Sequence, residues 1–382
     1  MYKPRLLAPG PVEVPPQVLE ASARPMIHHR TDAFKHLFME VREKLARLAQ
    51  VPGEDVLILA GSGTAGFEAG LLASVPRGSK VIGINAGKFG ERWVKLARHY
   101  EYEVVELGLE WGHVAQPEAV RDLLDEHPDT AAVMTTHSET STGALHDVEA
   151  ISRVVQEVTP DALFLVDCVT SLGVTELKPL EWKLDGIFSG SQKGLMTPPG
   201  LAFAWLSERA WARGGEAGDF TKTFYLDLHK ERKSQQKGQT AYTPAVSLIY
   251  GLNVALDMLL DEGIENVWAR REKMNRAIIE AAKILGCCAY AERVSPAVAA
   301  LRAPEEVDAP QIVKGFASRG VRIAGGQDHA KPVLFRPSVM GYADPYDAVT
   351  IVAVLEDVLR ELGREVPYGQ AVGQALKVLG SA

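Results

Sequence analysis

Between Val56 and Leu206 the sequence alternates short β-rich runs with stretches of helical period, and no other feature constrains the fold as tightly. The runs are VLILA (56–60), KVIGIN (80–85), EVVEL (103–107), AAVMTT (131–136), LFLVD (163–167), GIFSG (186–190) and AFAWLS (202–207). Helical stretches such as GERWVKLARHY and DVEAISRVVQEV lie between the first five. Strands that are apolar throughout bury both faces, and helical connections return the chain in one direction, so the pattern predicts a parallel sheet covered on both sides. Ligands on such sheets gather at the carboxyl ends of the strands.

The chain has 382 residues, too many for one compact core and suited to two domains of roughly 100–200 residues each. A segment rich in charge and glycine, Arg209 to Gly238, follows the last strand. The helical pattern SLIYGLNVALDMLLDEG then leads to a second unit that mixes helices with short strands such as VRIAGG and PVLFRP. We expect an α/β protein: a Pro-rich extended arm (1–20) joining the small domain, a large domain (21–262) built on a mostly parallel seven-stranded sheet, and a smaller α+β domain (263–382).

Charge and cysteine usage narrow the partners. The 41 basic and 49 acidic residues leave a net charge of −8 with no basic tract, which argues against nucleic acid and anionic membrane. No apolar run reaches the roughly 18 residues of a membrane helix, and MYKPRLLAPGPVEVPP lacks the apolar core of a signal peptide. The C-terminal GSA is no peroxisomal signal. Cys168, Cys287 and Cys288 include no CxxC pair, so neither a disulfide framework nor a zinc site is indicated. The expectation is a reduced, cytoplasmic setting without metal.

The first strand runs into GSGTAG (61–66), which fits GxGxxG and admits three readings. A dinucleotide site needs an acidic residue roughly 20 positions on, where the second strand instead ends in Asn85. A single phosphate could rest on the helix N-terminus at Ser62, Gly63 and Thr64. The third reading is a tight turn with no ligand. Asp167 ends a wholly apolar strand, where a carboxylate is costly without a partner; taken singly it could equally cap the next turn. Lys193 lies in SGSQKGLMTPPG, hemmed in by residues with almost no side chain. Together the two change the reading, because an aldehyde cofactor needs a lysine for its Schiff base and a pyridinium nitrogen needs an anion beside it.

The ordered motifs PGP (9–11), GSGTAGFEA (61–69), GKFGERW (87–93), THSETSTG (136–143), LVDCVTSLG (165–173), SGSQKGLMTPPG (189–200) and VLFRPSVMG (333–341) resemble class V, fold-type I pyridoxal-phosphate aminotransferases over nearly the whole chain. The branch they resemble is that of the alanine–glyoxylate and serine–glyoxylate (serine–pyruvate) enzymes. The resemblance implies that Lys193 carries the cofactor as a Schiff base and Asp167 pairs with its ring nitrogen. It implies that Ser62, Gly63 and Thr64 hold the phosphate, with Gln192 as a further contact. Phe89 would stack on the ring, Val169 would pack on the opposite face, and Thr140 would hydrogen-bond the cofactor. In the family a neighbouring subunit completes the phosphate cup from the region matching GQTAYTP, which assigns Thr243 and Thr240, the latter where some relatives carry tyrosine. Arg336 matches the arginine that grips the substrate α-carboxylate, a task suited to two parallel N–H donors.

The implied protein is a homodimer with shared active sites that moves an amino group from serine or alanine to glyoxylate or pyruvate by a ping-pong mechanism. Aspartate and aminoethylphosphonate transaminases of the same fold are the alternatives, and an NAD-linked oxidoreductase using the GSGTAG loop is the rival from another class. Cysteine desulfurases carry His-Lys at the Schiff base; here Gln192 precedes the lysine, and Cys287–Cys288 lie in a helix-like context. His137 is either an active-site wall or a buried structural histidine. Arg30 could reach the site near the subunit boundary.

Overall fold

A computed structural model describes residues 2–216 and 223–381. Its large sheet has seven strands: β1 (Leu57–Ala60), β2 (Lys80–Asn85), β3 (Glu103–Gly108), β4 (Ala132–Thr136), β5 (Leu163–Asp167), β6 (Gly186–Gly190) and β7 (Leu201–Leu206). Their spatial order is β1-β7-β6-β5-β4-β2-β3. Strands β2 to β6 pair in parallel, whereas β7 runs antiparallel to both β6 and β1. The connection explains the reversal. Parallel neighbours need a crossover of a dozen or more residues, and the Ser191–Gly200 link between β6 and β7 is shorter and contains no helix.

Side chains of the central strands alternate between two buried layers, as the pleat requires. Phe164 and Val166 of β5 join a core with Phe34 and Phe38 of the Asp32–Ala49 helix, Ile151 of the Val148–Val158 helix and Leu252 of the Val246–Glu262 helix. Leu163 and Leu165 of the same strand face the other layer, with Phe67 of the Gly63–Ser74 helix and Trp93 of the Lys88–His99 helix. That layer is knit by aromatic contacts: Phe67 stacks on Trp93 with ring centres 4.5 Å apart, and both rings meet Phe188 of β6. Gly70 makes room for this packing, since a Cβ there would overlap the Phe188 ring.

A second core gathers Met274 and Ile278 of the Ile264–Ile284 helix, Phe316 of Ala309–Ser318, and Ile351 and Leu355 of Pro345–Glu361. They cover a four-stranded antiparallel sheet of two- and three-residue strands, in which Leu334–Arg336 lies between Leu301–Arg302 and Ala324–Gly325. Arg5–Leu6 pairs in parallel with Val321–Arg322, and Leu7 is buried in this second core.

One expectation needs adjusting. The N-terminal segment is not extended throughout, because residues Pro16–Ser22 form a helix. A proline in the first helical turn suits this start, and Gly251 lets the helix approach the Val246–Glu262 helix, where a Cβ would meet Ser22. The charge- and glycine-rich segment holds two helices, Glu208–Glu216 and Leu228–Gln235; its residues 217–222 lie outside the described residues. Among the described residues no helix is long and apolar enough to cross a membrane.

Candidate active site

The carboxyl ends of β1, β5 and β6 converge on a cavity of about 290 Å³. Strand β1 ends at Ala60, and Ser62 caps the Gly63–Ser74 helix with an extended backbone but makes no side-chain capping bond. The Ala65 N–H bonds the Ser62 carbonyl, and the Gly63 and Thr64 N–H groups remain for a ligand, at the end where the helix dipole favours an anion. Ser62, Gly63 and Thr64 line the cavity together with Phe89, Asp167, Val169, Gln192 and Lys193. The Val169 loop is pressed against the helix start, because a Cβ on Gly63 would overlap Val169.

Burial acts in opposite directions on Asp167 and Lys193. The Asp167 carboxyl, 4% exposed, is pushed up to about 8 by desolvation, although its Oδ1 accepts a 2.8 Å hydrogen bond from the Val169 N–H, which favours the charge. Lys193, 7% exposed, is pushed down to about 8 by desolvation and then by the nearby Arg336 cation, while Asp167 works the other way. The Lys193 ammonium donates to the Pro9 carbonyl. Gly10 has a φ of +114°, and a Cβ there would collide with the lysine side chain, so PGP has a steric reason at this position.

Arg336, buried on the Leu334–Arg336 strand, donates from Nε to the Gly325 carbonyl (2.9 Å) and from Nη1 to the Thr140 carbonyl (2.7 Å). Thr140 is buried beside the cavity rather than on its wall, and its hydroxyl shares a 2.6 Å hydrogen bond with Thr170, which does line it. His137 lies in the core: its ring sits edge-on to Trp182, and burial pushes its pKa down to about 3. The structural reading of His137 is the one this placement fits.

Thr240 and Thr243 are not on the cavity wall. Thr243 lines a separate hollow with Ile27 and His28, and the Thr240 hydroxyl donates to the Tyr242 carbonyl at 2.6 Å. Arg30 is found with them, donating to Gln239 Oε1 (2.8 Å) and the Thr240 carbonyl (3.2 Å). Within one chain, the residues expected to contribute from a neighbour therefore lie off the cavity wall.

Two residues were missed. Arg92 lines the cavity, bonds Thr64 Oγ1 at 3.0 Å and lies over the Phe89 ring; the signal was its place one helical turn after Phe89. Glu139 is fully buried and accepts from the N–H groups of Phe89, Gly90 and Ser141. It caps a helix about fifty positions earlier in the chain, for which no local sequence signal exists.

The cavity fits a phosphorylated pyridine aldehyde. The open helix end suits the phosphate, the buried Lys193–Asp167 pair suits the carbonyl and ring nitrogen, and Gln192 Oε1, buried without a hydrogen-bond partner among the described residues, is an acceptor left for a donor on the ligand. A dinucleotide fits poorly. Asn85 is tied to Glu106 and to the Gly87 N–H, and β1 lies at the sheet edge beside an antiparallel strand, not at the central switch point a dinucleotide fold uses.

The profile of the aminotransferase class-V family matches residues 15–343. An uncharacterized aminotransferase of Methanocaldococcus jannaschii is 39% identical over 95% of this chain and 94% of its own length. The serine–glyoxylate aminotransferase of Methylorubrum extorquens is 32% identical over 98% and 95%. Among solved structures, an aspartate aminotransferase of subgroup IV from Thermus thermophilus superposes with a TM-score of 0.87 at 38% identity, covering 94% of this chain and 99% of that one.

Proposed function

This chain belongs to the class V aminotransferase family, a family of pyridoxal-phosphate-dependent transaminases, and from that premise we propose that it moves an amino group from serine or alanine to glyoxylate or pyruvate in a ping-pong cycle. The observation that carries the reading is the meeting of a buried lysine, a buried carboxyl and an open helix N-terminus in one cavity.

Pyridoxal phosphate, when bound, supplies a carbonyl that exchanges amines and a ring that accepts the electrons left when the Cα–H bond breaks. Ser62, Gly63 and Thr64 hold the phosphate, Gln192 adds a contact, and Thr240 and Thr243 of a neighbouring copy close the cup. Phe89 and Val169 take the two ring faces, and Thr140 adds a hydrogen bond from the side. Asp167 keeps the ring nitrogen protonated. Desolvation is the largest cause that pushes its carboxyl up to about 8, and a ring cation against it removes the reason for staying neutral. Lys193 Nζ, with its pKa pushed down to about 8, is neutral often enough near physiological pH to take the proton from substrate Cα and to return it. Arg336 grips the α-carboxylate, which disfavours simple amines such as aminoethylphosphonate as donors.

We read the chain as an arm (1–20), a large domain (21–262) and a small domain (263–382), working as a cytoplasmic homodimer. A second reading, aspartate as donor, is favoured by the name of the Thermus thermophilus structure and by Arg30, which bonds the same segment as Thr240 and could meet a side-chain carboxylate. Single-turnover loss of the visible absorbance with serine, alanine and aspartate in parallel separates the two. Serine or alanine reacting fastest supports the first reading; aspartate reacting about a hundredfold faster replaces it.

A further inference from the structure

We propose that Arg92 is the counter-charge for the cofactor's phosphate, an inference that rests on the pyridoxal-phosphate reading above. The residues assigned to the phosphate by their motifs, Ser62, Gly63, Thr64 and Gln192, are all neutral. A helix N-terminus offers about half a positive charge, whereas a phosphate monoester carries about −1.5 to −2 near pH 7, so most of the charge is left unbalanced. Among the described residues, only three that line the cavity are ionisable: Arg92, Asp167 and Lys193. The carbonyl takes Lys193, and the ring nitrogen takes Asp167. Arg92 remains.

Its geometry suits the task. Nη1 donates to Thr64 Oγ1 at 3.0 Å, which puts the guanidinium against the phosphate cup, and its Cζ lies 4.9 Å from the Phe89 ring centre. The ring thereby steadies the cation while its helix holds both residues on one face. That helix cannot offer its own N-terminus to a ligand, because Ser141 and Glu139 already accept from Lys88, Phe89 and Gly90. What it brings to the cavity is therefore the Arg92 side chain. The charge is felt inside, where it lowers the pKa of both Asp167 and Lys193.

The test is affinity rather than turnover. The full chain, freed of cofactor, is titrated with pyridoxal phosphate and with phosphate-free pyridoxal, for the native protein, Arg92→Gln and Arg92→Lys. The expected result is that Arg92→Gln weakens pyridoxal phosphate at least about tenfold and pyridoxal less than about twofold, while Arg92→Lys recovers most of the loss because the charge returns. Pyridoxal phosphate bound by Arg92→Gln within about twofold of the native protein overturns the proposal, as does an equal loss for both ligands or no recovery by lysine. Failure of the native protein itself to bind pyridoxal phosphate would overturn the cofactor reading instead.

Discussion

Asp167 and Lys193 make the base of the cavity expensive to fold without its ligand. Asp167 is raised from 3.8 to about 8, so across that window the folded apoprotein keeps a proton the unfolded chain has lost, and stability falls as pH rises. Lys193 is depressed from 10.5 to about 8, so it subtracts stability as pH falls from 10.5 towards 8. Asp167→Asn should therefore make the apoprotein more stable than the native one at pH 8, on the order of a few kcal/mol, with the difference vanishing near pH 4. Urea unfolding at a series of pH values checks this, and a pH-independent difference would remove the assignment. For Lys193 the expected outcome is chemical: borohydride reduction of the loaded protein fixes the cofactor's mass on the peptide containing Lys193, and Lys193→Ala shows neither adduct nor turnover. An adduct on another lysine would count against it.

Helix ends and helix faces decide how well that cavity is shaped. The Lys88–His99 helix carries Phe89 and Arg92, and its N-terminus is fastened by Glu139 at 3.1 Å from the Phe89 nitrogen and 2.9 Å from that of Gly90. Glu139→Ala leaves buried donors without partners, which should cost about 1–3 kcal/mol in urea unfolding and weaken cofactor binding as Phe89 loosens. Unchanged stability would mean the cap is dispensable. The Gly63–Ser74 helix presents a contest of effects at Gly70. Helix propensity alone favours alanine by about 1 kcal/mol, but a methyl there overlaps the Phe188 ring, and overpacking costs about 1–3 kcal/mol. Packing wins on these magnitudes, so Gly70→Ala should lower the thermal midpoint rather than raise it.

At the scale of the whole molecule, Thr243 lies off the cavity wall of its own chain, and the resemblance to a family that completes the phosphate cup across subunits leads us to expect shared sites in a dimer. Lys193→Ala and Thr243→Glu should each be inactive, the second because a carboxylate would repel the phosphate. If a site takes Lys193 from one copy and Thr243 from the other, coexpressing the two variants restores one intact site in each mixed dimer. Random pairing makes half the dimers mixed, which predicts about a quarter of native activity. No recovery in the mixture would mean that each chain builds its site alone.

Local pattern by itself determined where the sheet strands lie and marked Asp167 and Lys193 as candidates. Strands β2, β5 and β6 fall on KVIGIN, LFLVD and GIFSG, β1, β3 and β4 differ by one residue at one end, and β7 is shifted by one residue at both ends, because apolar runs between helical periods have few other ways to be buried. Asp167 and Lys193 stood out as a pair: a carboxylate ending an apolar strand is costly without a partner, and a lysine hemmed in by residues with almost no side chain completes what an aldehyde cofactor needs. The reversal of β7, the helix at Pro16–Ser22, the cap made by Glu139 and the approach of Arg92 to Thr64 were decided only by tertiary structure. Each depends on a contact between segments distant in sequence or on the length of a connection, and such choices leave no local periodicity or spacing to read.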